Sequence, residues 1–108
     1  MTEIKFIIFL TVMEYLKEQG NMQITLIEIR KKFDQLINED IPREAIAEWA
    51  KKRQEAEDDD QLEYDPPSEE DKIWRAITYL MGVDLKDTDG SYLHSIENFI
   101  DFRKKMEI

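Results

Sequence analysis

Ten carboxylates and no base lie between Glu55 and Asp71. Three kinds of chemistry could use them: binding a hard cation, docking a basic surface, or general acid/base catalysis. Held close together, carboxylates repel one another, so a cation or a basic protein would relieve them. Glu57, Asp58, Asp59, Asp60, Glu63, Asp65, Glu69 and Glu70 are therefore the candidate partner-binding residues. The plainer alternative is a solvated loop that keeps the chain soluble. A cation site finds no support in the spacing. The nearest echo of a calcium loop is Asp87-Thr88-Asp89-Gly90. Placing Gly90 at that loop's glycine puts Leu85 and Ile96 at its first and last ligand positions, where neither side chain can ligate. The segment reads as a turn, and no metal is expected.

Other reactive side chains are sparse. His94 is the sole histidine, and no nucleophile or second ligand stands at an informative spacing from it. It reads as a hydrogen-bonded residue near a helix start, with Ser91 and Ser95 as turn and cap residues. Too many acids compete for any one to be singled out as a catalytic pair. There is no glycine-rich phosphate loop and no cysteine. Disulfide, thiolate-metal and cysteine-nucleophile chemistry are thereby excluded. No catalytic role and no cofactor are expected. A hydrolase using His94 or carboxylates is the weakest of three alternatives. Trp49 and Trp74 could anchor an interface. Their helical spacing among Ala, Ile and Leu instead predicts core packing, with a loss of about 3–5 kcal/mol on truncation to alanine.

The charge has a simple distribution. The chain has 108 residues and a formal net charge of −10. Outside residues 55–71, fifteen acids meet fifteen bases, so the acidic run supplies the whole imbalance. Such a field attracts basic surfaces and disfavours phosphate, which predicts no direct nucleic acid and no membrane partner. The length suits one domain over 1–108 with an acidic connector near 55–71. With three glycines and three prolines, long regular elements are favoured.

The elements that would position these residues read as helices. Glu3–Gln19 carries Phe6, Phe9, Leu10, Met13 and Leu16 on one stripe, widened by Ile7, Ile8 and Val12. Its apolar run is too short to span a membrane and lacks a basic leader, so a buried or oligomer-forming helix is expected. A strand over residues 4–10 is its alternative. Gly20 suits the stop. A second helix over Thr25–Asn38 opens on the capping-box pair Thr25 and Glu28. Leu26, Ile29, Phe33, Leu36 and Ile37 form its inner face, and Arg30, Lys31, Lys32 and Asp34 its outer one. A third helix opens at Pro42, buries Ala45, Ile46, Trp49 and Ala50, and frays after Gln54. Gln61–Pro67 reads as an extended loop. Ser68 caps a fourth helix with Ile73, Trp74, Ile77, Leu80 and Met81 inward, ended by Gly82. Ser95 caps a fifth, with Ile96, Phe99, Ile100 and Met106 inward and Arg103, Lys104 and Lys105 at its negative end. The expected fold is all-α, a single compact bundle of about five helices.

One pattern resembles a known group. Ile41, Arg43-Glu44 and Glu48-Trp49-Ala50, then an Asp-rich break, then Trp74-Arg75-Ala76-Ile77, Leu80, Gly82, Asp84-Leu85, and finally Tyr92-Leu93-His94 are similar to a family of small uncharacterised bacterial proteins. Some of its members look like immunity proteins of contact-dependent inhibition and polymorphic toxin systems. The resemblance covers about 26–102. Pro42 stands where the pattern has a capping serine, and the first helix has no counterpart.

The resemblance and the charge together lead to the expectation of a cytoplasmic, acidic immunity or antitoxin-like protein. It would block a basic toxin domain, such as a nuclease, by covering it with the acids from Glu57 to Glu70. The alternative is a self-associating structural or regulatory subunit, a homodimer through Phe6–Leu16.

Overall fold

The computed structural model describes residues 22–108. The predicted helix Glu3–Gln19, its stop at Gly20 and the Phe6–Leu16 interface lie outside the described residues.

The described chain begins with strand β1, Met22–Thr25, whose Ile24 is fully buried. Helix α1, Leu26–Ile37, follows without a break because Thr25 caps it. The Thr25 hydroxyl accepts from Glu28 N–H at 3.0 Å, and the Glu28 carboxylate accepts from Thr25 N–H at 3.3 Å. Two of the helix's orphan donors are thereby satisfied, as the sequence pattern predicts. Helix α2, Arg43–Asp58, opens after Pro42, which sits at the N-cap in an extended conformation rather than at the first helical position. The helix continues past Gln54 to Asp58, four residues into the acidic run.

Strand β2, Leu62–Asp65, comes next and pairs with β1 in parallel, with Met22 opposite Leu62 and Ile24 opposite Tyr64. A short 3-10 turn, Pro67–Glu69, leads into helix α3, Glu70–Leu80. Ser68 lies inside that turn, and no side chain caps α3. Helix α4, Ile96–Met106, starts at Ser95, whose hydroxyl accepts from Asn98 N–H at 3.2 Å.

The all-α five-helix expectation is therefore corrected. Among the described residues there are four α-helices, a 3-10 turn and a two-stranded parallel sheet. The physical reason lies in Leu62-Glu63-Tyr64-Asp65. This alternation puts Leu62 and Tyr64 against the core and exposes Glu63 and Asp65, which is the period of a half-buried strand. Acids and the following prolines make the same segment look like a loop, and its partner strand lies across two intervening helices.

The core joins all four helices to β1. Ile24, Ile29, Phe33, Leu36, Ile46, Ala47, Ala50, Ile73, Ala76, Ile77, Leu80, Val83 and Phe99 are shielded from water. Ile100, expected inward, is 45% exposed, because the core-facing side of α4 is taken by Phe99 and Phe102. Phe102 stacks on Tyr79 with ring centroids 3.8 Å apart, and Tyr79 and Phe102 both flank Phe33. No helix of the described residues is long and apolar enough to cross a membrane.

Candidate nucleic-acid interface

Helix α1 presents Arg30, Lys31 and Lys32 in succession, and their positions divide them around the helix. Arg30 and Lys31 are exposed and turned away from the core residues Ile29 and Phe33. Lys32 is partly buried on the flank that meets α2. There Lys32 Nζ stands 5.3 Å from the centre of the Trp49 ring, and the Arg53 guanidinium stands 4.3 Å from it. Lys32 also donates to Gln35 at 3.1 Å, and Arg53 donates to the Trp49 carbonyl at 3.3 Å. Trp49 and Arg53 share a face because they are one helical turn apart.

This cluster is electrostatically crowded. Burial, then repulsion from Lys31 and from Arg53, holds the Lys32 ammonium below the usual lysine range, and Glu28 acts in the opposite sense. Burial likewise lowers the Arg53 guanidinium from its ordinary value. Its Nε is buried without a hydrogen-bond partner. Attraction of each cation to the tryptophan face offsets part of the crowding. An anion docked from outside would offset more. Of the two acids of α1, Glu28 closes the Thr25 capping box and Asp34 is engaged by Arg103 of α4. Among the described residues, neither Arg30 nor Lys31 forms an ion pair.

The predicted acidic site is spread over several elements rather than gathered in one loop. Glu57 and Asp58 end α2, while Asp59 and Asp60 form the turn after it. Glu63 and Asp65 lie on the outer face of β2. Glu69 ends the 3-10 turn and Glu70 begins α3. Glu57 accepts from the Tyr64 hydroxyl at 3.0 Å, so it serves the scaffold. Glu69 pairs with Lys72 at 3.6 Å and Asp71 with Arg75 at 3.2 Å. Both are local pairs, the first half-buried and the second exposed, and the exposed one has small energetic weight. Glu57, Glu70 and Asp71 share a recess with Tyr64 and Trp74, and Glu55 and Asp59 share another with Lys52.

The tryptophans are not core residues of the kind expected. Both are partly buried and pack against the core from its edge. The buried side of α2 belongs instead to Ile46, Ala47, Ala50 and Ala56. His94 stands directly before the Ser95 cap, and the hydrogen bond it makes is through its backbone rather than its ring. Its carbonyl accepts from Arg43 at 2.6 Å, and its ring lies 5.5 Å from that of Tyr79. Arg43 also stacks 4.2 Å over Tyr92, whose hydroxyl donates to Glu44 at 2.6 Å. The Arg43-Glu44 and Tyr92-Leu93-His94 motifs thus meet in space and tie the loop before α4 to the start of α2. Asp87–Ser91 is a turn, with Gly90 N–H donating to the Asp87 carbonyl at 3.0 Å and Gly90 at φ +86°.

The family described as YxzC DNA-binding protein matches residues 9–106. The chain belongs to the YxzC family. A relative, the uncharacterized protein YxzC of Bacillus subtilis (strain 168), is 32% identical over 83 residues. That match covers 77% of this chain and 62% of the relative, so the chain spans less than two thirds of that protein's length. No solved structure matches.

Membership of the YxzC family overturns the resemblance to immunity proteins, which rested on motifs that the structure shows to be packing contacts. The family's description as a DNA-binding protein also runs against a basic toxin partner and against the exclusion of nucleic acid. The exclusion failed because net charge averages over the whole surface, whereas DNA meets one face. The signal that could have found the cluster was present. Arg30-Lys31-Lys32 and Lys51-Lys52-Arg53 are two basic triplets on consecutive helices. Each alone reads as a solvated helix face.

Proposed function

We propose that this protein binds DNA through the exposed face of α1 and the adjoining flank of α2, as a regulatory protein without catalytic activity. The placement of Lys32 and Arg53 together over the Trp49 ring, with the exposed Arg30 and Lys31 alongside on α1, carries this reading, because phosphate is the ligand that clustered cations accept. The family's description supports it. Arg30, Lys31, Lys32 and Arg53 supply phosphate contacts, and Trp49 stiffens two of them. The acidic run repels the backbone elsewhere on the surface and so limits the ways the protein can sit on the duplex. A cytoplasmic location follows from this role.

Fluorescence anisotropy of a labelled duplex, titrated at several salt concentrations, tests the proposal. Four phosphate contacts predict a slope of log K against log salt of about −3 to −4. Lys31→Glu combined with Lys32→Glu should abolish binding at every salt concentration. Absence of binding at low salt, or binding untouched by the double reversal, would remove the basis for this function.

A further inference from the structure

Ile27 is 73% exposed, more than any other large apolar side chain among the described residues. A single exposed isoleucine is ordinary on a protein surface; the surroundings of this one are not. It stands in the first turn of α1, and Arg30 and Lys31 follow it at i+3 and i+4, which places all three on one stretch of helix surface. The backbone beneath it is fixed by the reciprocal Thr25–Glu28 cap. That cap also turns the Glu28 carboxylate back onto the Thr25 N–H. Asp34, one turn beyond Lys31, is engaged by Arg103. The result is an apolar tip followed by two cations that form no ion pair among the described residues, at the N-terminal end of a capped helix.

We propose that Ile27 reads thymine by packing against its C5-methyl group in the major groove of duplex DNA. This rests on the DNA-binding reading above and adds base preference to it. Phosphate contacts from Arg30 and Lys31 position a protein but carry no sequence information, which must come from base edges. Thymine presents a methyl group in the major groove, and an apolar side chain is its natural contact. A helix that enters the groove brings the residues of its N-terminal end to the base edges. Charge complementarity of Arg30 and Lys31 to phosphate selects duplex DNA as the occupant of this face.

The test compares an alternating dA-dT duplex with an alternating dA-dU duplex, which differ by that methyl group. The wild-type chain should bind the dA-dT duplex about three- to fourfold more tightly, the factor expected from burying one methyl-sized group. Ile27→Ala should bind both duplexes alike, at the affinity the wild type shows for dA-dU. Lys31→Glu should weaken both together. Equal wild-type affinity for the two duplexes, or discrimination that survives Ile27→Ala, overturns the proposal while leaving DNA binding intact. Binding to neither duplex defeats the DNA-binding reading and this inference with it. Sedimentation of the wild type and of Ile27→Ala adds a further check. A drop in oligomeric state with unchanged discrimination would assign Ile27 to a contact between copies and overturn the proposal.

Discussion

Asp34 on α1 is bound by Arg103 on α4, so an acid about one turn from Arg30 and Lys31 is neutralised from a helix 69 residues away in sequence. The pair lies beside the stacking of Phe33 on Phe102, whose ring centroids are 5.8 Å apart, and it helps hold α4 along α1. Arg103→Ala should release the Asp34 carboxylate toward Arg30 and Lys31. Duplex affinity should then fall about two- to fivefold at low salt. Stability should fall by less than about 1 kcal/mol, since Asp34 is largely exposed. Adding Asp34→Asn should restore the affinity without restoring the stability. Anisotropy and urea denaturation of both variants separate the two effects. Unchanged affinity in Arg103→Ala would reduce the pair to packing.

Phe33 and Trp49 divide the labour that the sequence assigns to tryptophan. Phe33 is fully buried beside the stacked Tyr79–Phe102 pair, so Phe33→Ala should cost about 3–5 kcal/mol. Trp49 lies at the core's edge with two cations against it. Trp49→Ala should cost about 1–2 kcal/mol and also weaken DNA binding, because Lys32 and Arg53 lose their support. Urea midpoints read the first comparison and anisotropy the second. Equal losses of stability would return Trp49 to the core.

Local rules carried the sequence reading as far as local rules reach. The Thr25–Glu28 box, the Ser95 cap and the stripe Ile29, Phe33 and Leu36 each lie within one or two helical turns, and each forms as expected. The sheet lies beyond local rules, because β1 and β2 are four residues each and are separated in sequence by α1 and α2. The alternation Leu62-Glu63-Tyr64-Asp65 is visible in the sequence, but its acids and the prolines after it equally fit a loop. The same limit applies to the site. Arg30-Lys31-Lys32 has the pattern of a solvated helix side, and nothing local places Arg53 beside Lys32. The acidic run drew the functional reading because its charge is contiguous in sequence, whereas the basic cluster is contiguous only in space.

Alkaline pH should destabilise the fold through its tyrosines. Burial, together with the hydrogen bond to Glu57, raises the Tyr64 hydroxyl above the ordinary tyrosine range, and burial raises that of Tyr79. The folded state therefore keeps protons that the unfolded chain releases near pH about 10. Their stabilisation is complete below that pH and is lost as pH rises through the folded values. Lys32 has the opposite sign, since its lowered value makes folding more favourable as pH rises toward the ordinary lysine range. Tyr64→Phe isolates the main tyrosine contribution. Thermal melts from neutral pH to about pH 11 should show a shallower alkaline decline in the variant. Parallel declines would exclude Tyr64 as the source.

The exposed acids of β2 should act against DNA binding because of where the strand lies. Parallel pairing sets Glu63 opposite Gln23 and Asp65 opposite Thr25, immediately before α1. Thr25 caps the helix that carries Ile27, Arg30 and Lys31, so a phosphate approaching the helix's first turn also approaches these carboxylates. Glu63→Gln with Asp65→Asn should tighten duplex binding about three- to tenfold at low salt, and the gain should shrink as salt shortens the screening length. Glu69→Gln with Asp71→Asn removes the same charge from a place where Lys72 and Arg75 already balance it. That pair of changes should leave affinity near the wild-type value. Equal gains from the two double variants would mean that the duplex senses only net charge. A gain confined to β2 would mean that this strand faces the DNA and restricts how α1 can approach it.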